Sequence, residues 1–183
     1  MQWTSATGCL EILQGDLTLF KADAVVNAAN SRLAGGGGVD GALHAAAGPA
    51  LLADCSRWVA RHGLLPAGKA MVTPAHRLPA RHVIHTVGPV WRGGKNNEET
   101  TLRQAYESCF TLCRSNGFAH VAFPAISCGT YGYPASPAAR VALACAAQAL
   151  ACQGAPAKIT FVLHTAQMYT IWLKAAQDAA PDL

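Results

Sequence analysis

The chain has 183 residues, of which 51% are hydrophobic and 13% are charged. This composition excludes an intrinsically disordered chain, and the length fits one domain at 1–183 with a core at about 10–178. The formal net charge of +4 is spread without a block of like charges. A dedicated nucleic-acid binder is therefore disfavoured, whereas a small ligand that carries phosphate is compatible with the charge.

Cysteine usage and the N-terminus bear on the compartment of the protein. The cysteines are odd in number and show no CxxC or Cys/His zinc spacing, which favours a reducing compartment and predicts neither a metal site nor a cofactor. The N-terminus lacks the regions of a signal peptide, and the longest apolar run, 141–152, is too short to span a bilayer. We therefore expect a cytoplasmic protein without a membrane partner, and a monomer. The cysteines are Cys9, Cys55, Cys109, Cys113, Cys128, Cys145 and Cys152.

Segments typical of strands alternate with segments typical of helices, a pattern that favours an α/β layered fold. His82 and His85 lie on one predicted strand and are interpreted as residues of the strand faces rather than as ligands. Ser136 is the candidate N-cap of the fourth helix, with Pro137 as its first residue. The predicted strands are 10–13, 24–26, 69–73, 82–87, 121–123 and 159–163, and the predicted helices are 42–47, 49–61, 97–115, 137–152 and 167–177.

The most informative stretch, 25–48, runs from a buried strand through a glycine loop into a helix. Its four consecutive glycines, 35–38, cost backbone entropy, which a chain accepts where the backbone takes a positive φ or a ligand approaches closely. Such a junction is where open α/β folds bind phosphorylated ligands, although a glycine run can also be only a flexible loop. Asn30 and Asp40 bracket the glycines and can both point into one cleft. Neither a P-loop nor a Rossmann fingerprint is present.

A second informative stretch, 120–134, is a strand followed by a loop of small residues and then a helix. Backbone N–H groups in such a loop can face an anion, and hydrogen bonds to a charged group contribute about 1.5–3 kcal/mol each. Tyr131 could cover a bound ligand, whereas Tyr133 is interpreted as a surface aromatic. Cys128 could be a nucleophile, but the sequence offers no nearby histidine partner, so this interpretation is disfavoured.

Asp16 follows the first predicted strand and has two possible roles. It can cap a short helix through 19–21, or it can accept a hydrogen bond from an amino group such as adenine N6. From the sequence alone, the capping role is the better supported of the two.

Five motifs together resemble the macrodomain family, and more narrowly its MacroD-type bacterial branch of O-acetyl-ADP-ribose deacetylases and ADP-ribosyl hydrolases. They are GDLT at 15–18, VVNAAN at 25–30, GGGGVDGALHAAAG at 35–48, HTVGPVWRGG at 85–94 and PAISCGTYGYP at 124–134. The resemblance is specific because all five occur in order. It implies a three-layer α-β-α fold with a mixed, roughly six-stranded sheet, and ADP-ribose bound above the strand ends.

The resemblance also implies a role for each residue that matches a family motif. Asp40 and Asn30 would be the catalytic residues, with Asp40 as the catalytic acid and Asn30 holding hydroxyls of the distal ribose. Asp16 would bind the adenine amino group, with Leu17 beside it. The residues expected around the distal ribose are Gly38, Val39 and Asp40, and those around the diphosphate are Ser127, Cys128, Gly129, Thr130 and Tyr131.

The implied reaction is metal-independent hydrolysis of an ester on the distal ribose of ADP-ribose. The substrate would be O-acetyl-ADP-ribose or a protein that carries mono-ADP-ribose on an acidic side chain. Water could attack the acyl carbonyl with Asp40 as general base, or the anomeric carbon through an oxocarbenium-like transition state. Two other functions are possible: a non-catalytic ADP-ribose reader, and a regulator of RNA processing that contacts protein or RNA. The presence of both Asn30 and Asp40 argues against a reader.

Overall fold

A mixed β-sheet forms the centre of the molecule in a computed structural model that describes residues 1–5, 8–154 and 156–179. Within those residues it has seven strands in the order β1-β2-β7-β6-β3-β5-β4. The five inner strands are parallel, while β1 and β4 pair antiparallel at the two edges. The strands are β1 Gln2–Ser5, β2 Gly8–Gln14, β3 Ala24–Ala28, β4 Ala70–Pro74, β5 His82–Thr86, β6 His120–Phe123 and β7 Lys158–Leu163.

Helices cover both faces of the sheet, so the predicted three-layer α/β fold is confirmed. Side chains alternate along each inner strand: Val25 of β3 packs in a core cluster with residues of α1 and α2. The next residue, Val26, packs on the opposite face with residues of α3, α4 and α5. The helices are α1 Gly38–Ala47, α2 Pro49–His62, α3 Glu98–Asn116, α4 Ala135–Ala151 and α5 Ala166–Asp178, with a 3₁₀ helix at Leu17–Leu19.

The sheet has one strand more than the roughly six that were expected. The additional strand is β1, whose sequence QWTS lacks the apolar run that predicts a strand. This segment is a strand because it pairs with β2, and Trp3 lies opposite Leu10 in that pairing. Pairing between strands is a tertiary interaction, so the local pattern could not predict it.

Two helices begin at least two residues earlier than predicted. Helix α1 begins at Gly38, inside the glycine run, which places Asp40 in its first turn. Helix α4 begins at Ala135 with Pro134 at the N-cap, so the prediction of Ser136 as N-cap was wrong. Ser136 instead lies within the helix and accepts a hydrogen bond from Arg140 at 3.0 Å. No helix among the described residues is both long and apolar enough to cross a membrane.

Candidate active site

A cleft of about 280 Å³ opens at the carboxyl ends of β3, β5 and β6. In parallel sheets this edge collects the loops that follow the strands, and ligands bind there. The cleft brings together eight of the predicted site residues: Asn30, Gly38, Val39, Asp40, Ser127, Gly129, Thr130 and Tyr131. Its other lining residues are Ala28, Ala29, Gly36, Gly37, Gly88 and Ala125.

Asp40 is the acidic group of this cleft and is only 4% exposed. Its Oδ1 accepts a hydrogen bond of 2.7 Å from Nδ2 of Asn27. The same oxygen lies 3.5 Å from Nε2 of His44, one turn further along α1. Burial raises the pKa of Asp40, and the hydrogen bond from Asn27 and the charge of His44 offset part of that rise. A carboxylate whose pKa is moved towards neutrality is a stronger base than an exposed one.

Asn30 lies beside Asp40, as the sequence predicted for the two ends of the glycine run. Its Nδ2 donates to the carbonyl of Gly35 at 2.8 Å and lies 3.4 Å from Oδ2 of Asp40. Its Oδ1 accepts from the backbone N–H of Arg32 at 3.0 Å. The side chain is therefore oriented by backbone groups before any ligand binds.

The glycine loop 35–38 is packed tightly against the first turn of α1. A Cβ on Gly41 would lie 2.3 Å from the carbonyl oxygen of Gly36, so only glycine allows this approach. The loop leads into the N-terminus of α1, whose first N–H groups have no partner within the helix. These N–H groups and the positive end of the helix dipole favour an anion at this side of the cleft.

The opposite side of the cleft is the loop that follows β6. Ser127 there has a left-handed backbone, φ 66°, and its carbonyl accepts from the N–H of Tyr133 at 2.9 Å. Within the described chain, the N–H groups of Gly129, Thr130 and Tyr131 donate no hydrogen bond. Three N–H groups without partners in one loop are available to an anion, so the anion site stays a prediction that this geometry allows.

Cys128 lies in the same loop but does not line the cleft. Its Sγ lies 3.5 Å from the carbonyl oxygen of Ile126, and its side chain packs against the main core. Burial raises the pKa of the thiol to about 12, so it remains protonated. A nucleophilic role, which needs the thiolate, is disfavoured.

A neighbouring loop, 88–97, supports the loop after β6. The N–H of Trp91 donates to the carbonyl of Tyr131 at 2.8 Å, and the Trp91 and Tyr133 rings lie 4.6 Å apart. Tyr133 is only 4% exposed, so its interpretation as a surface aromatic was wrong. The burial of Tyr133 was missed because the sequence does not show that Trp91 packs against its ring.

Glu98 holds the far end of the same loop. Its carboxylate accepts from the N–H groups of Arg92, Gly94 and Asn96 at 3.0, 3.2 and 2.6 Å. Burial acts to raise the pKa of Glu98, but these backbone hydrogen bonds outweigh it and the pKa is lowered. The carboxylate thus orders the loop, in addition to its favourable position in the first turn of α3.

Asp16 and Leu17 lie at the end of β2, outside the lining of the cleft. Oδ1 of Asp16 accepts from the N–H and the hydroxyl of Thr18 at 2.8 and 2.7 Å. The capping role is therefore confirmed, although the capped 3₁₀ helix is Leu17–Leu19 rather than 19–21. These hydrogen bonds also lower the pKa of Asp16. Contact with an adenine amino group stays a prediction.

His44, Cys55 and His85 are the described residues that come closest to forming a metal site, with one ligand atom from each within 4.8 Å of the others. Both ring nitrogens of His85 already have hydrogen-bond partners, Asn27 at 3.1 Å and Thr73 at 3.0 Å. Burial also raises the pKa of the Cys55 thiol to about 11. These hydrogen bonds account for the burial of His85 without an ion, whereas Nε2 of His44 has no hydrogen-bond partner within the part of the chain that the structure describes.

Comparison with known proteins identifies the family. Residues 26–142 match the model of the Macro domain. The chain belongs to the macrodomain family. A protein of Salmonella gallinarum named O-acetyl-ADP-ribose deacetylase is 49% identical over 175 residues, which cover 94% of this chain and 98% of the relative. The resemblance inferred from the five motifs is therefore confirmed.

Solved macrodomain structures agree with this assignment. The Oceanobacillus iheyensis macrodomain with ADP superposes with a TM-score of 0.95 at 35% identity, covering 100% of this chain and 97% of that chain. The Trypanosoma brucei macrodomain in complex with ADP-ribose superposes with a TM-score of 0.82 at 37% identity, covering 91% of this chain and 68% of that one. Both of these structures were solved with a ligand that carries a diphosphate, ADP in the first and ADP-ribose in the second.

Sequence reasoning placed His85 correctly on a strand face, but it assigned neither His85 nor Asn27 a role near the cleft of this macrodomain. Both have no exposed surface, and both lie on inner strands rather than on loops. Buried polar groups are nearly always hydrogen-bonded. An asparagine at the end of the apolar run Ala24-Val25-Val26 was therefore the signal that could have revealed the partner of Asp40.

Proposed function

We propose that this macrodomain is a hydrolase that binds O-acetyl-ADP-ribose in the cleft and cleaves its acetyl ester, with Asp40 as general base. The observation that carries the proposal is the position of Asp40. It is a buried carboxylate with a raised pKa, it lies beside Asn30, and both line the cleft. Recognition of adenine and diphosphate alone requires neither residue, so their presence favours catalysis over a reader.

The relatives support the choice of substrate. Curated proteins at 48–49% identity are named O-acetyl-ADP-ribose deacetylase, and the matched lengths cover nearly the whole of both chains. The cleft provides N–H groups for a diphosphate on two sides, from α1 and from the loop after β6. Asn30 and Asp40 lie together at the glycine loop, where the distal ribose would bind.

The reaction proceeds in two steps. Asp40 takes a proton from water while the water oxygen bonds to the acyl carbon and the carbonyl oxygen becomes an oxyanion. The oxyanion then re-forms the carbonyl, the bond from the acyl carbon to the sugar oxygen breaks, and Asp40 returns its proton to that oxygen. The products are ADP-ribose and acetic acid, which then loses its proton to the solvent to give acetate, and Asp40 is again ionised. A positioned base of this kind contributes about 10²–10⁴-fold to the rate.

The same chemistry extends to a protein that carries ADP-ribose on an aspartate or glutamate, because that linkage is also an ester on the distal ribose.

Hydrolysis in H₂¹⁸O distinguishes the two sites of attack. Attack at the acyl carbon places ¹⁸O in the released carboxylate, whereas attack at the anomeric carbon places it in the ribose. We expect the label in the carboxylate.

The state of the cysteines supports a proposal about the compartment of the protein. The seven cysteines are all free, as expected for a protein in a reducing environment. We therefore infer a cytoplasmic location, which fractionation of cells that produce the protein would test.

The test is acetate release from O-acetyl-ADP-ribose in EDTA by the parent, Asp40→Asn and Asp40→Ala, with ADP-ribose affinity measured by calorimetry. Asp40→Asn retains the acceptor for Asn27 but removes the base. Asp178→Asn, at an exposed residue near the end of α5, is the matched control.

We expect the parent and Asp178→Asn to release acetate at equal rates. Both Asp40 variants should bind ADP-ribose and lose about 10²–10⁴-fold in kcat. An Asp40→Ala protein with the parent rate would refute the role of Asp40. A parent that binds ADP-ribose without turnover would instead be a reader.

A further inference from the structure

We propose that His85 is a positioning residue for Asp40 and acts through Asn27. A continuous hydrogen-bonded chain of four side chains joins them, in the order Thr73, His85, Asn27, Asp40. Its three distances are 3.0 Å, 3.1 Å and 2.7 Å. The inference rests on the proposed function only in assigning Asp40 as the base, because the chain of contacts is a property of the fold.

The sheet fixes the first part of this chain. Asn27 and His85 are direct partners in the parallel register of β3 and β5, and their side chains point to the face that α1 covers. Asn27 and His85 have no exposed surface, and Thr73 and Asp40 are 5% exposed or less, so the three links between them are shielded from solvent. A link in such surroundings is costly to break, because one partner is left unsatisfied.

With Asp40 ionised, one arrangement of protons satisfies these three links, and Oδ1 of Asn27 is then left without a partner among the described residues. Nδ2 of Asn27 has two hydrogens, and it contacts both Oδ1 of Asp40 and Nδ1 of His85. With the amide reversed, its oxygen would face the carboxylate at 2.7 Å, which is repulsive. Nδ1 of His85 must therefore accept, which leaves the ring proton on Nε2, where it faces the hydroxyl of Thr73.

The ring of His85 stays neutral in this position. Burial, followed by the charge of His44, lowers the pKa of His85 to about 3, while the charge of Asp54 acts weakly in the opposite sense. The thiol of Cys55 also faces the ring, at 3.8 Å from Nε2. A neutral acceptor at Nδ1 therefore holds one hydrogen of Asn27 and directs the other at the carboxylate.

The four hydrogen-bonded side chains connect His85 to Asp40, so a change at His85 should affect catalysis. Without an acceptor at Nδ1, the Asn27 amide is free to rotate, and Asp40 loses the donor that fixes its carboxylate. Supporting residues of this kind typically change activity about 10- to 100-fold when removed. Since His85 does not line the cleft, the loss falls on kcat rather than on ligand affinity.

The test compares His85→Phe with His85→Asn. Phenylalanine keeps a ring and removes both nitrogens, whereas the Oδ1 of asparagine can occupy the place of Nδ1 and accept from Asn27. We expect His85→Phe to lose about 10- to 100-fold in kcat with KM and ADP-ribose affinity within about twofold. His85→Asn should recover most of the kcat.

Two outcomes would overturn the proposal. One is a folded His85→Phe protein with the parent kcat. The other is an equal loss of kcat, affinity and thermal stability in both variants, which would indicate a purely structural role. If His85→Phe does not fold, Thr73→Val removes the outermost of the three hydrogen bonds instead. This variant should also have a lower kcat than the parent. An unchanged kcat in Thr73→Val would refute the proposed series of hydrogen bonds.

NMR provides a readout that does not depend on turnover. Nitrogen-15 shifts of the imidazole should show the Nε2–H tautomer, and the carboxyl carbon-13 titration of Asp40 should move to higher pH in His85→Phe. A proton on Nδ1, or an Asp40 titration unmoved in His85→Phe, would contradict the proposal. A parent without deacetylase activity would end the proposed function but leave these two measurements able to decide the positioning role.

Discussion

Nδ2 of Asn27 donates a 2.7 Å hydrogen bond to Oδ1 of Asp40, and the two residues belong to a central strand and to the first turn of the helix that covers it. The carboxylate is therefore oriented by the sheet rather than by a surface loop. Sites supported by regular elements hold their groups more precisely than sites on loops.

Asp40→Asn should change how stability depends on pH. Because burial raises the pKa of Asp40 in the folded state, the folded protein binds a proton more tightly than the unfolded chain. The parent therefore loses unfolding free energy as the pH rises from the unfolded pKa through the folded one. Asparagine does not titrate, so the unfolding free energy of Asp40→Asn should increase relative to that of the parent as the pH rises over that range.

Urea denaturation of both proteins at a series of pH values from 3.5 to 8 measures this difference. Asp178→Asn serves as the control, since its carboxylate is exposed. A difference between Asp40→Asn and the parent that stayed constant with pH would show that Asp40 titrates normally.

His85 should make the protein sensitive to mild acid. Its pKa is lowered to about 3 in the folded state, against about 6.5 when unfolded. The unfolded chain therefore takes up a proton first as the pH falls, and the parent should lose about 2 kcal/mol of stability between pH 7 and pH 5 from this residue alone. His85→Phe should lack that component, which guanidinium titrations at the two pH values would measure. An equal loss of stability between pH 7 and pH 5 in both proteins would show that groups other than His85 cause the acid sensitivity.

Gly41→Ala should displace the glycine loop. The added Cβ would meet the carbonyl oxygen of Gly36 at 2.3 Å, so either the loop or the first turn of α1 must move. We expect a loss of about 1–3 kcal/mol in stability and weaker binding of ADP-ribose.

Gly37→Ala is the matched control for stability. Gly37 has an extended backbone, φ −94°, and a Cβ there would have no atom within 4 Å. Thermal unfolding of the two variants side by side should show a decrease for Gly41→Ala only. Equal unfolding temperatures would mean that the loop adapts at no cost.

Cys128→Ala should retain the deacetylase activity of the parent within about twofold, because the thiol is protonated and turned towards the core. Iodoacetamide at pH 8 should modify the exposed Cys152 well before Cys128, as peptide mass spectrometry would show. A large loss of kcat in Cys128→Ala, or rapid alkylation of Cys128, would revive the nucleophile interpretation.

The local sequence pattern predicted the fold class, the order of the strands and α-helices from β2 onwards, and the meeting of Asn30 with Asp40. It could do so because each feature depends on residues close in the chain, such as the apolar run of β3 or the glycines beside α1. The strand β1 was beyond its reach because QWTS becomes a strand only by pairing with β2.

Interactions between distant segments were also missed. Asn27 and His85 are 58 residues apart, and their pairing depends on β3 and β5 being neighbours in register. Gly88 is a similar case: a Cβ there would lie 2.2 Å from Oγ of Ser127, a close approach that no local motif shows. Such contacts follow from the strand order, which periodicity does not determine.

The strand order also has a consequence for how the chain folds. Strand β2 lies between β1 and β7. It pairs in parallel with β7, and Leu10 of β2 lies opposite Ile159 of β7. Nearly the whole chain must leave the ribosome before that pair can form, and contacts at such sequence separation slow folding. Until then one edge of β2 has unpaired backbone groups, which can associate with other chains. Nascent or truncated chains that end before β7 should therefore aggregate, whereas the finished chain closes that edge itself.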